Sequence, residues 1–147
     1  PEASRPAAVW TLVIGTLLLA VTALFGGLNL VRDPTGASID LVIPVDLSHL
    51  VGTPFSDYAV PGLILIVFLG LLPLAVVYGQ LTRTPWAWPA SILTGIILIG
   101  WIVVEVSLIG YLSPLQPAYG LLGIGLVVLC FLPSVQAYLR GRAAADR

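Results

Sequence analysis

Long uncharged apolar stretches alternate with short polar breaks, and their lengths give the first expectation. Residues 7–31, 58–82, 86–112 and 117–139 each reach the roughly 17 to 25 residues a helix needs to cross the hydrocarbon. Only the third contains a charge, Glu105. The fold class expected is all-α: an integral membrane four-helix bundle forming one domain over residues 1–147, with a partly structured extracytoplasmic loop at 32–57. Span 1 carries a Val21-Thr22-Ala23 stretch like a cleavage site, but its apolar run exceeds the ~7–15 residues of a signal peptide's core.

The breaks are punctuated as turns. Arg32-Asp33-Pro34-Thr35-Gly36 opens the long loop, and Ser56 and Asp57 stand where they can cap span 2. Residues 39–51 are apolar but interrupted by Asp40, Pro44, Asp46 and His49, which suits a segment lying over the bundle mouth. Trp86, Trp88, Tyr111 and Tyr119 fall at span ends and read as an interfacial aromatic belt. Pro73 and Pro133 are expected to kink spans 2 and 4, leaving carbonyls that need partners inside the bundle. Matching Gly, Pro, Tyr and Arg positions raise the prospect that spans 1–2 and 3–4 repeat one hairpin.

Within the spans, small residues mark helix contacts. Thr16, Ala20, Ala23 and Gly27 share one face of span 1, where another helix can approach closely. Gly120, Gly123 and Gly125 lie inside span 4, without the strand-turn-helix setting of a dinucleotide site, and read the same way.

Composition supports the membrane reading. The chain is 59% hydrophobic and 9% charged, against about 25% charged for a soluble domain. A net charge of −1 with no basic cluster beyond the tail gives no case for nucleic acid. One cysteine, Cys130, and one histidine leave no internal disulfide and no His/Cys metal site, and no cofactor is implied. The expected partners are membrane lipid and other membrane subunits or further copies of the chain. Four spans place Arg5, Arg83, Arg140, Arg142 and Arg147 on one side and only Arg32 on the other. The positive-inside rule then puts both termini in the cytoplasm of a cell inner (plasma) membrane.

Glu105 is the leading candidate for chemistry, because an ionisable group within a span is expensive and marks a site by default. Seven residues before Leu112, it should lie roughly 10 Å below the outer boundary. Desolvation there favours the neutral carboxyl. Trp101 is its neighbour at i−4, Thr22 is the polar side chain at the same depth on span 1, and Arg32 could reach down from the loop. Asn29, His49, Tyr58, Gln116 and Tyr119 lie above, with Asp57 among the loop carboxylates. The bland alternative is a Glu hydrogen-bonded between helices or paired with Arg32. Asp40, Asp46 and Asp57 could hold a cation, though solvated loop charges and a cap explain them as well. Asp46, Ser48 and His49 are too close in sequence for a triad, whose members converge from separate segments.

The string Gly26-Gly27-Leu28, Asp33-Pro34-Thr35-Gly36, then Thr53-Pro54-Phe55-Ser56-Asp57-Tyr58 and Pro61-Gly62-Leu63 resembles that of small four-span bacterial membrane proteins. In size and span layout the chain is also similar to DoxX-like proteins. The resemblance implies a four-helix bundle and transfers no catalytic residues. Three functions remain open. They are a non-enzymatic accessory subunit or binder of a lipophilic ligand near the outer leaflet, a small proton-coupled transporter using Glu105, and a membrane enzyme acting on lipid or quinone with Glu105 and His49.

Overall fold

The computed structural model describes residues 5–39 and 47–145, and among these every regular element is helical. Helix α1 runs Ala7–Arg32, α2 Ala59–Thr82, α3 Ala87–Ile109, α4 Leu115–Cys130 and α5 Pro133–Ala145. Two short 3₁₀ turns, Ala37–Ile39 and Leu47–Leu50, lie in the long loop. Three helices, α1, α2 and α3, are long and apolar enough to cross a membrane, and a fourth crossing exists if α4 and α5 count together.

The helices alternate in direction. Arg5, before α1, donates to the Leu81 carbonyl at the end of α2 (3.1 Å) and to the Tyr138 hydroxyl on α5 (2.7 Å). Arg83 follows α2 and donates to the Tyr138 carbonyl at 2.8 Å. Arg5, Arg83 and Arg140 therefore gather at one end, each stacked over Trp10, Tyr138 or Trp88. The described parts of the loop and the link between α3 and α4 occupy the other.

The most extensive packing is α1 on α2 and α3 on α4, which makes two hairpins facing each other across a looser seam. Glycine pairs set both close crossings. A Cβ placed on Gly27 would stand 2.8 Å from the Gly62 carbonyl oxygen, and one on Gly95 would stand 2.8 Å from that of Gly123. Only a side-chain-free residue lets the backbones approach so nearly. The small face of span 1 is indeed inside: Thr16, Ala20, Ala23 and Gly27 are all buried. The two crossings differ in depth, however. Gly27–Gly62 lies near the loop end, whereas Gly95 comes eight residues into α3.

The prolines act differently from each other. Helix α2 stays continuous past Pro73 by widening to a π-helical stretch at Leu65–Leu71, with the Leu72 N–H bonded to the Val67 carbonyl. The wider turn accommodates a ring that would collide with the carbonyl four residues back. Pro133 instead ends the helix. The stretch 117–139, expected to kink at Pro133, is divided there into α4, a break at Phe131 and Leu132, and α5 bent away by 68°. Sixteen residues make α4 only about 24 Å long, short of the ~30 Å hydrocarbon. Phe131 and Leu132 close the end with N–H bonds three residues back (3.0 and 3.2 Å), and Pro133 starts α5, where its missing N–H costs nothing.

The carbonyls freed there do find partners. The Trp88 indole N–H donates to the Cys130 carbonyl at 2.7 Å, and Gln136 Nε2 donates to the Phe131 carbonyl at 3.1 Å. Trp88 is thus turned inward rather than serving as a belt residue, while Trp86 and Tyr111 remain exposed as expected. The expected repeat is not exact: one proline is absorbed, the other breaks its helix.

Candidate functional site

A cavity of about 350 Å³ opens in the seam between the hairpins, towards the loop end. All of α1 to α4 contribute. Leu19 on α1 and Leu98 on α3, both fully buried, close its floor. Leu65 and Leu69, from the π-helical stretch of α2, form one wall. The polar lining is small and is concentrated on α3 and the start of α4: Glu105, Gln116, Tyr119 and Ser113, with Thr22 opposite on α1.

Glu105 sits one turn from the end of α3, which stops at Ile109 because Gly110 turns to φ 77°. The helix thus ends three residues before the expected bound at 112. Glu105 is half-buried, and its Oε2 accepts from Gln116 Nε2 at 3.4 Å. Trp101, one turn earlier on the same face, also lines the cavity.

Gln116 is a clamp for the link between α3 and α4. Its Oε1 accepts the Leu112 N–H at 2.6 Å and the Ser113 N–H at 3.4 Å, while its Nε2 also reaches the Gly110 carbonyl at 3.1 Å. Tyr119, expected as a belt residue, is instead turned in. Its hydroxyl donates to Thr22 Oγ1 at 2.7 Å, and that hydroxyl donates in turn to the Leu18 carbonyl at 2.8 Å. This bond ties the two hairpins together across the cavity.

Three of the six candidate residues, Glu105, Trp101 and Thr22, therefore meet at one cavity. The others stand apart. Arg32 is exposed at the end of α1 and does not line it. His49 is half-buried in its 3₁₀ turn and is also outside the lining. Asp57 stands one residue before Tyr58, the N-cap of α2, and accepts the Ala59 N–H at 3.0 Å. Asp40 and Asp46 lie outside the described residues. Among those described, no three His, Cys, Asp or Glu side chains group as a metal site.

Asp33 is a loop-forming residue. Its carboxylate accepts from the Thr35 hydroxyl at 2.6 Å and from the Ser38 N–H at 3.1 Å. The Thr35 hydroxyl bond holds its pKa below the ordinary 3.8.

The sequence puts Gln116 above Glu105 but does not show its clamp on the link, nor the inward turn of Tyr119. A signal was available: Gln116, Gly123, Leu126 and Cys130 recur at helical spacing and form the buried stripe of α4, with Tyr119 on its edge. The arrangement is a small apolar chamber with a carboxyl and an indole near one end. Such a chamber holds an apolar body and orients one polar head. No family model, curated protein or solved structure matches this chain, so the functional argument rests on the chamber's own chemistry.

Proposed function

We propose that the chain is a multi-pass membrane protein of the plasma membrane that binds a lipophilic molecule near the outer leaflet without transforming it. The observation carrying this reading is the cavity between the hairpins, lined by four helices and largely apolar, with Glu105 near one end. Its ~350 Å³ falls at the small end of ligand pockets, which run to about 300–1,000 Å³. The orientation belongs to the same proposal: Arg5, Arg83 and Arg140 mark the cytoplasmic end, and the cavity faces the other leaflet. The four-span layout counts α4 and α5 as one broken crossing. His49 stands outside the cavity, which leaves the enzyme reading without its second residue.

Purification in lipid nanodiscs followed by native mass spectrometry tests the proposal. The wild-type chain should carry a defined lipophile, and Ala23→Phe, which fills the chamber, should lose it while remaining folded. A wild-type protein that carries and accepts no lipophile sinks the reading. The transporter alternative is favoured by one observation, that Glu105 lines the chamber as well as accepting from Gln116 on α4. It requires pH-dependent flux in liposomes that disappears in Glu105→Gln.

A further inference from the structure

The head chemistry of the ligand follows from which hydrogen-bonding groups in the chamber are already committed. Tyr119 donates to Thr22, and Thr22 donates to the Leu18 carbonyl. Both Gln116 amide hydrogens point at protein oxygens, those of Glu105 and the Gly110 carbonyl, and its own oxygen is taken by backbone N–H groups. These donors are therefore in use. Three lining groups make no such commitment to a described residue: Glu105 Oε1 and the Trp101 indole N–H, one helical turn apart on α3, and the hydroxyl hydrogen of Ser113, whose oxygen accepts the Leu115 N–H. The first is an acceptor on a carboxyl group, the second a donor only.

We propose, building on the lipophile-binding reading above, that the chamber selects an uncharged lipophile headed by a hydroxyl group and refuses an anionic one. A hydroxyl has one hydrogen to give to Glu105 and lone pairs to accept from Trp101, so it satisfies both groups at once. An anionic head finds the indole N–H and the Ser113 hydroxyl but no cation in the lining, and it must shed its hydration in a largely apolar chamber. The floor of Leu19 and Leu98 and the wall of Leu65 and Leu69 take the hydrocarbon body. Among the described residues no arginine, Arg32 included, reaches the lining.

Tryptophan quenching by brominated probes tests this in the full chain. The probes are 11-bromoundecanol and the matching bromoundecyl sulfonate, and the quenching absent from Trp101→Phe is the chamber's share. The alcohol should bind about tenfold more tightly than the sulfonate, a modest difference for one charged contact. Glu105→Gln should reduce that ratio towards one, and Glu105→Leu, which demands no polar partner, serves if the amide variant does not assemble. Equal binding of the two probes to wild type overturns the head preference and leaves the lipophile reading standing. A ratio unchanged in the Glu105 variants also overturns it. Failure of both probes to bind overturns the head preference and the lipophile reading together.

Discussion

Gln116 joins Glu105 to the backbone of the link beyond it: one end of its amide faces Glu105 Oε2 at 3.4 Å, and the other holds the Leu112 N–H at 2.6 Å. The carboxyl and the turn at residues 110–114 therefore share one support. Replacing Gln116 by Leu removes the acceptor of a partly buried backbone N–H, a loss worth about 1–3 kcal/mol. Thermal unfolding in detergent should register that loss, and hydrogen exchange at Leu112 should quicken. Unchanged exchange in Gln116→Leu would show that the link holds itself without the clamp.

The glycine crossings give the fold its sharpest steric test. At Gly95 an added methyl meets the Gly123 carbonyl oxygen at 2.8 Å and Val127 Cγ2 at 2.7 Å, so α3 and α4 must separate. Overpacking of this kind costs about 1–3 kcal/mol. At Gly125, two residues further along α4, an added methyl meets nothing within 4 Å. Gly125→Ala should be neutral or slightly stabilising through helix propensity, which favours Ala by up to ~1 kcal/mol. Unfolding of both variants by titrated denaturing detergent separates the cases. Equal losses at the two positions would count against the crossing.

The start of the long loop has a predictable acid response. A carboxylate with a lowered native pKa stabilises the fold above its unfolded value near 3.9, and that contribution fades as pH falls through the lower native value. The Asp33–Thr35–Ser38 knot should therefore hold at neutral pH and loosen only in acid below about 4. The chief cause is the Thr35 hydroxyl, so Thr35→Ala should move the Asp33 titration upward, towards 3.8. Carboxyl-carbon NMR follows this directly. An Asp33 titration identical in the variant assigns the shift to another cause.

How much of this was readable beforehand depends on where the determining contact lies. Helix positions followed from run length alone, and the small faces at Thr16–Gly27 and Gly123 followed from spacing, because both are local properties of one helix. Pro73 and Pro133 could not be told apart: whether a proline is absorbed or breaks its helix depends on partners such as Trp88 for the Cys130 carbonyl, 42 residues away. Glu105 stood out as the lone charge of a span and Trp101 as its i−4 neighbour, but Thr22 came from depth counting, which places residues at one level and not on one side. Tyr119 was misread for that reason: its level fits an interfacial belt, and only the packing of α4 on α1 turns it towards Thr22. Gln80 was passed over altogether, since a polar residue near a span end looks like ordinary interface.

Gln80 is fully buried and links three helices, donating to Thr16 Oγ1 on α1 at 3.2 Å and to Ser91 Oγ on α3 at 2.9 Å. The amide orientation is fixed by its neighbours. Thr16 and Ser91 each give their own hydroxyl hydrogen to a backbone carbonyl, those of Leu12 and Ala87, both at 2.7 Å, so only lone pairs face Gln80. Its NH₂ must point at them, and Oε1 is left buried with no partner among the described residues. An orphaned acceptor costs about 1–3 kcal/mol, while side-chain hydrogen bonds between membrane helices average only ~0.6 kcal/mol each. The two effects nearly cancel. Gln80→Leu, similar in volume, should therefore be neutral or stabilising, because it removes the orphan and leaves Thr16 and Ser91 with no unsatisfied donor. Gln80→Ala should instead lose about 2–4 kcal/mol to the cavity it opens. Unfolding measurements on the two variants decide the matter, and a Leu variant as damaged as the Ala variant would mean that Gln80 stabilises the bundle outright. If the prediction holds, the buried amide sets the register of α1, α2 and α3, and its loss should show as heterogeneous helix packing at unchanged stability.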